Sequence, residues 1–313
     1  MVAMPGSGRF GALVTAMVTP FDEQGGLDLP GAARLARWLA DNGSDALVVA
    51  GTTGEGPVLD DDELTALWSV VVESVTVPVI AGTGSADTRH SIELTRRAAA
   101  AGVDGVLVVT PYYNRPSQAG LHAHFAAVAR GTTLPVLLYD IPVRCGRKIA
   151  HDTMVGLARE VPNIVGVKDA AGDVTATARL VAELGDGFEV YCGDDNLTLP
   201  MLSVGAIGLV SVAAHWAGNE IAEMIGAFAK GDVQHAQALN QRLVESFAFE
   251  STEEYPNPLP AKAMCRVQGL PAGQCRLPMG AAPAALEERA RAVLGALGRL
   301  PDASGPSGGG PVG

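Results

Sequence analysis

The chain has 313 residues, 48% hydrophobic and 18% charged, enough for one large α/β domain or two of ordinary size. A core of that extent needs neither disulfide nor metal to support it. With 34 acidic and 22 basic residues the formal net charge is −12, which excludes nucleic acid and anionic membrane surfaces as partners. A small anion is not excluded, because a few arginines or backbone N–H groups can hold one locally.

Residues 1–10 carry no basic stretch followed by a long apolar run and are expected to fray. No window approaches the roughly 18 apolar residues of a spanning helix, so a cytoplasmic location is expected. Apolar runs rich in β-branched residues then recur at 12–18, 46–50, 77–81, 105–109, 135–139, 164–167, 188–191 and 206–210. Such short, continuous runs fit strands buried on both faces of a parallel sheet. Helical periodicity fills the intervals at 31–41, 62–74, 88–101, 118–130 and 152–160. About eight strand–helix units predict a closed (β/α)8 TIM barrel rather than an open doubly wound sheet. A dinucleotide fold would want GxGxxG after the first strand, where Thr19-Pro20-Phe21-Asp22 stands instead.

After residue 210 the strand signal stops, and 220–230, 233–247, 260–268 and 283–297 read as helices. The expected division is a catalytic barrel over 9–230, a C-terminal helical region over 231–300 and a Pro/Gly/Ser-rich disordered tail over 301–313.

A barrel builds its site from the C-terminal ends of its strands. Those ends carry Gly51-Thr52-Thr53-Gly54-Glu55, Gly82-Thr83-Gly84, Thr110-Pro111-Tyr112-Tyr113-Asn114, Tyr139-Asp140-Ile141-Pro142-Val143-Arg144, Lys168-Asp169, Gly193-Asp194-Asp195 and Ser211. Lys168 is the most informative. The chain has only four lysines, and the other three (Lys148, Lys230 and Lys262) read as loop or polar helical residues. Lys168 alone follows directly on a buried strand, where desolvation favours the free amine that Schiff-base chemistry needs. The competing reading is a structural lysine paired with Asp169 or Asp194. Tyr139, ending the neighbouring strand, can bring a phenol to Lys168 for proton transfer, or can be a core tyrosine with its hydroxyl at the rim. Thr52 and Thr53 can offer hydroxyls and N–H groups to a carboxylate, or form an ordinary turn. Arg144 can pair with an acid group or sit in a surface salt bridge.

Other clusters carry less. Cys145, Cys192, Cys265 and Cys275 show no metal-type spacing and are expected as reduced thiols. His122 and His124 point to different faces of one helix, and Asp60-Asp61-Asp62 suits the N-terminus of another. No third ligand lies near Asp194-Asp195, and no GxSxG motif is present. No cofactor and no metal is implied.

In their order along the chain these segments resemble the dihydrodipicolinate synthase (4-hydroxy-tetrahydrodipicolinate synthase) family from about Gly11 to Leu297, including Val18-Thr19-Pro20-Phe21, Arg115-Pro116-Ser117-Gln118, Gly166-Val167-Lys168-Asp169-Ala170 and Asn257-Pro258-Leu259-Pro260-Ala261-Lys262. The resemblance implies an imine between pyruvate and Lys168. It implies a proton relay of Thr52, Tyr139 and Tyr113, the last reaching across a subunit interface. It further implies that Thr53 holds the pyruvate carboxylate, that Arg144 receives the carboxylate of aspartate β-semialdehyde, and that Gly193 and Val210 line the pocket. The implied assembly is a homotetramer, a dimer of dimers.

Sugar-acid aldolases of the N-acetylneuraminate lyase and 2-keto-3-deoxygluconate aldolase group share the barrel, the lysine and the tyrosine, and are the alternative. Thr52-Thr53, the full Tyr113 segment and Arg144 favour the synthase. A catalytically silent binding barrel is opposed by the complete set of candidate residues. Ala86, His90 and Gly56 stand where lysine-inhibited members tend to carry Asn, Glu and Ser, so a weak response to lysine is expected.

Overall fold

The computed structural model describes residues 8–299. Eight parallel strands, β1 (Leu13–Ala16), β2 (Ala46–Val49), β3 (Val79–Gly82), β4 (Gly105–Val109), β5 (Val136–Asp140), β6 (Ile164–Asp169), β7 (Glu189–Cys192) and β8 (Gly208–Ser211), close on themselves in sequence order. β8 returns to β1 through Val14↔Val210 and its neighbours. Each expected strand overlaps an observed one.

Alternation along the strands separates two layers. Val14, Val48, Ile80, Leu107, Leu137, Tyr191 and Val210 point inward and fill the barrel. Leu13, Leu47, Val79, Val106, Leu138, Val167 and Leu209 point outward against the helices. Phe10 is buried rather than frayed. It closes the bottom of the barrel against Gly105, where a Cβ would lie 2.6 Å from its ring, and its N–H donates to the Tyr191 hydroxyl at 3.3 Å. Residues 1–7 of the expected frayed segment and the expected disordered tail lie outside the described residues.

The outer layer comprises α1 (Leu29–Asp41), α2 (Asp61–Val72), α3 (Thr88–Ala100), α4 (Gln118–Arg130), the single turn α5 (Pro142–Cys145), α6 (His151–Glu160), α7 (Val174–Leu184), α8 (Thr198–Ser203) and α9 (Ala214–Ala229). The acidic run before α2 is a capping box, in which Asp60 accepts from the Glu63 N–H and Glu63 reaches back to the Asp60 N–H. α7 and α8 escape the sequence reading because β-branched residues dilute the first and Pro200 interrupts the second. α9 begins six residues earlier than expected and bends at Ala217. Gly218 lets the helix approach the chain after α1, since a Cβ would lie 2.2 Å from the Asn42 carbonyl.

Beyond the barrel, α10 (Val233–Phe249), α11 (Leu259–Val267) and α12 (Ala284–Ala296) share the outer hydrophobic layer. Trp216 meets Phe249 edge to face at 6.0 Å. Lys262 departs from its expected polar setting. It is fully buried and ion-paired to Glu55 at 2.6 Å.

Candidate active site

β6 decides where Lys168 points. Val167 faces the helices, so its neighbour must face the interior. Two residues earlier, Gly166 keeps the strand slim where a Cβ would strike the Glu189 carbonyl at 2.2 Å. Lys168 is therefore inside the barrel mouth, 5% exposed and flanked in register by Tyr139 and Tyr191. Its Nζ lies 4.3 Å from the centre of the Tyr139 ring. Among the described residues no carboxylate is within ion-pairing distance of it. Asp169 points away, accepting from Thr177 Oγ1 at 2.6 Å and from the Ala171 N–H at 3.0 Å. Burial raises the Asp194 carboxyl above its usual range, while the nearby Lys168 charge acts in the opposite direction.

The turn after β2 is held between two left-handed residues, Ala50 at φ 58° and Glu55 at φ 56°. The Glu55 N–H donates to the Thr52 carbonyl at 3.1 Å, and the Gly56 N–H to the Gly51 carbonyl at 3.1 Å. Gly54 is needed for close approach, since a Cβ would lie 2.9 Å from the Ala50 backbone. Thr53 is buried and its hydroxyl accepts from Asn257 Nδ2 at 2.9 Å, whereas Thr52 is half-buried.

A cavity of about 400 Å³ opens beside these elements, with Thr52, Tyr139, Arg144, Tyr112, Cys145 and Asn257 in its wall. Arg144 projects from α5 at the mouth and donates to the Asn257 carbonyl at 3.3 Å. It pairs with no carboxylate among the described residues, so the surface salt-bridge reading has no support. Lys168 and Thr53 lie behind the wall. Gly193 follows β7, its N–H donating to the Asp169 carbonyl at 2.8 Å, and a Cβ there would meet that of Ala170 at 2.7 Å. Val210 is buried in the inner layer. Neither of these two touches the cavity. Tyr113 stands apart, 94% exposed on a left-handed backbone at φ 73°.

Burial pushes the Asp140 carboxyl up to about 6, against the Ile149 N–H and Lys148, and the Cys145 thiol up to about 11. Asp195 is fully buried and accepts from Ser211 Oγ and from the Val212 N–H, which makes Ser211 a structural partner of the β7 loop. Asn257 and Glu55 were not singled out in the sequence. Asn257 reaches Thr53 across 204 residues, a separation that local patterning does not register.

The dihydrodipicolinate synthetase family model matches residues 9–297. A 4-hydroxy-tetrahydrodipicolinate synthase of Moorella thermoacetica is 48% identical over 294 residues, covering 93% of this chain and all (100%) of that protein. The crystal structure of a dihydrodipicolinate synthase from Bacillus anthracis superposes with a TM-score of 0.88 at 46% identity, covering 91% of this chain and 98% of that one. A chloride-inhibited dihydrodipicolinate synthase from Acinetobacter baumannii, solved with pyruvate, is similar at a TM-score of 0.88 and 36% identity, covering 93% and 100% of the two chains. This chain belongs to the dihydrodipicolinate synthetase family.

Proposed function

We propose that the chain is a 4-hydroxy-tetrahydrodipicolinate synthase, a lyase that condenses pyruvate with L-aspartate β-semialdehyde in diaminopimelate and lysine synthesis. The observation that carries this reading is the unpaired, buried Lys168 amine 4.3 Å from the Tyr139 ring at the barrel mouth. The amine adds to the pyruvate keto carbon, and loss of water gives an imine. The imine draws electrons from the methyl group, whose proton leaves to give an enamine. The enamine carbon attacks the aldehyde, whose oxygen takes up a proton. The substrate's amino group then adds to the imine carbon, closes the ring and releases Lys168. Holding two small carboxylate-bearing substrates beside one amine supplies most of the advantage, because the bond-forming step is otherwise bimolecular.

Tyr139, Thr52 and Tyr113 carry the protons in this scheme, the last from a second subunit. Thr53 holds the pyruvate carboxylate and Arg144 the carboxylate of the semialdehyde, while Gly193 and Val210 back the site from behind the residues that line the cavity. Arg144 at the cavity mouth without an acidic partner supports that role. Tyr113 in its left-handed, exposed position supports an assembly of at least a dimer, with a tetramer of two such dimers as the full form. No helix among the described residues is long and apolar enough to cross a membrane, which suits a cytoplasmic enzyme.

The test supplies pyruvate with aspartate β-semialdehyde, N-acetylmannosamine or glyceraldehyde in parallel. Turnover with the semialdehyde alone is expected. Turnover with a sugar aldehyde instead would preserve the Lys168 chemistry and assign the chain to the sugar-acid aldolases. A weak response to lysine also follows from His90, which pairs with Asp61 at 2.9 Å instead of presenting a carboxylate to a cation. Strong inhibition by sub-millimolar lysine in the same assay would overturn that part.

A further inference from the structure

Glu55 and Lys262 form a charged pair that the reaction scheme does not use. Lys262 is fully buried and Glu55 is 5% exposed, with Nζ and Oε1 2.6 Å apart. The surroundings are specific. Lys262 Nζ donates to the Gln274 carbonyl at 3.0 Å, and Glu55 Oε2 accepts from the Arg276 N–H at 2.9 Å. Phe21 meets two cations, with Lys262 Nζ 4.0 Å and the Arg276 guanidinium 4.3 Å from its ring centre. Arg276 in turn forms a bidentate pair with Glu63, at 2.5 and 2.7 Å, at the start of α2.

Burying two opposite charges gains little net stability over an apolar pair of the same volume, so stability alone does not account for this one. Burial pushes the Lys262 amine below its usual range, with Glu55 acting in the opposite direction. What the pair does geometrically is clearer. Glu55 closes the Thr52-Thr53 turn and holds φ 56°, a conformation that costs a residue with a Cβ and persists only where its surroundings hold it. Its carboxylate is fixed from both sides by the C-terminal helical region. The same region reaches the turn again through Asn257 on Thr53, and Thr19 Oγ1 holds the Gly54 carbonyl at 2.5 Å.

We propose that Glu55 and Lys262 are positioning residues, through which the C-terminal helical region holds the Thr52-Thr53 turn in the conformation that receives the pyruvate carboxylate. Neither touches the reacting atoms. This rests on the reading that Thr53 binds that carboxylate, so Thr53→Val serves as the reference variant.

The experiment measures pyruvate half-saturation, by borohydride trapping of the imine and by steady-state KM, in Lys262→Met, Glu55→Gln, the double variant and Thr53→Val, with Tm for each. A single charge left buried unfolds some of the population, but the double variant is neutral and retains the fold. The expected result is a pyruvate half-saturation raised about 10-fold or more in the double variant and in Glu55→Gln, a larger change than the fall in kcat, which Thr52 in the same turn shares while Lys168 and Tyr139 stay in place. A double variant with wild-type pyruvate half-saturation, whatever its Tm, would overturn the proposal while a shifted Thr53→Val leaves the carboxylate assignment standing. A shifted double variant beside an unshifted Thr53→Val would sustain the positioning role and move the carboxylate contact to the N–H groups of the turn.

Discussion

At the residue scale, environment distinguishes side chains that composition treats alike. Lys168 and Lys262 are both buried lysines, yet one meets an aromatic ring without a carboxylate and the other meets Glu55. The strand ahead of Lys168 made its placement readable. The helix carrying Lys262 suggested solvent, because burial there is imposed by contacts distant in sequence. The histidines follow the same rule. Burial pushes His124 down to about 4, against the nearby Asp87, with its Nδ1 2.9 Å from Thr88 Oγ1. His215 is pushed down to about 4 by burial, its Nε2 accepting from the Val18 N–H at 3.1 Å and its Nδ1 donating to the Val212 carbonyl at 2.8 Å. A histidine depressed in the folded state stabilises above the unfolded value of about 6.5, and that contribution is lost as pH falls towards 4. The unfolded chain binds the extra proton in that window. Raised carboxyls such as Asp140 give the opposite slope, but they are common to wild type and a His124→Gln variant. The stability of wild type relative to His124→Gln should therefore fall between pH 6.5 and 4, by up to roughly 3 kcal/mol. Denaturant melts at both ends of that range measure it, and a constant difference would contradict it.

At the scale of elements, legibility follows local pattern. All eight strands announce themselves as short apolar runs because each is buried on both faces. The α2 capping box is equally local, set by Asp60 and Glu63 three residues apart. α7, α8 and the early start of α9 were not legible, because Thr, Pro and Gly weaken a helical signal that packing on the barrel restores. The strand ends gave Thr52, Tyr139, Arg144 and Lys168 as candidates for one site, and the barrel gathers Thr52, Tyr139 and Arg144 around one cavity with Lys168 against Tyr139. Asn257 entered the sequence reading only within a family-like segment, and its contact with the β2 turn was not legible because nothing nearby in sequence signals it.

At the scale of the whole molecule, three large apolar side chains among the described residues are left mostly in solvent: Tyr113 at 94%, Val143 at 87% and Leu277 at 82% exposure. Val143 adjoins Arg144, and Leu277 adjoins Pro278 and Met279 in the cavity wall. Large apolar side chains left this exposed are what an association surface would cover. If Tyr113 completes the site of a neighbouring subunit, Tyr113→Phe should lower turnover by about 10² or more, as expected for loss of a proton-transfer group, while leaving Tm unchanged. Sedimentation and activity followed together on dilution should show turnover lost as the assembly separates. A fully active monomer would contradict that arrangement.

The proposed reaction depends on one covalent bond. The most direct test treats the protein with pyruvate and borohydride, then maps the modified peptide by mass spectrometry. A single reduced pyruvate adduct on Lys168, absent from Lys168→Arg, is predicted. An adduct on Lys148, Lys230 or Lys262, or no adduct in an active preparation, would contradict the account.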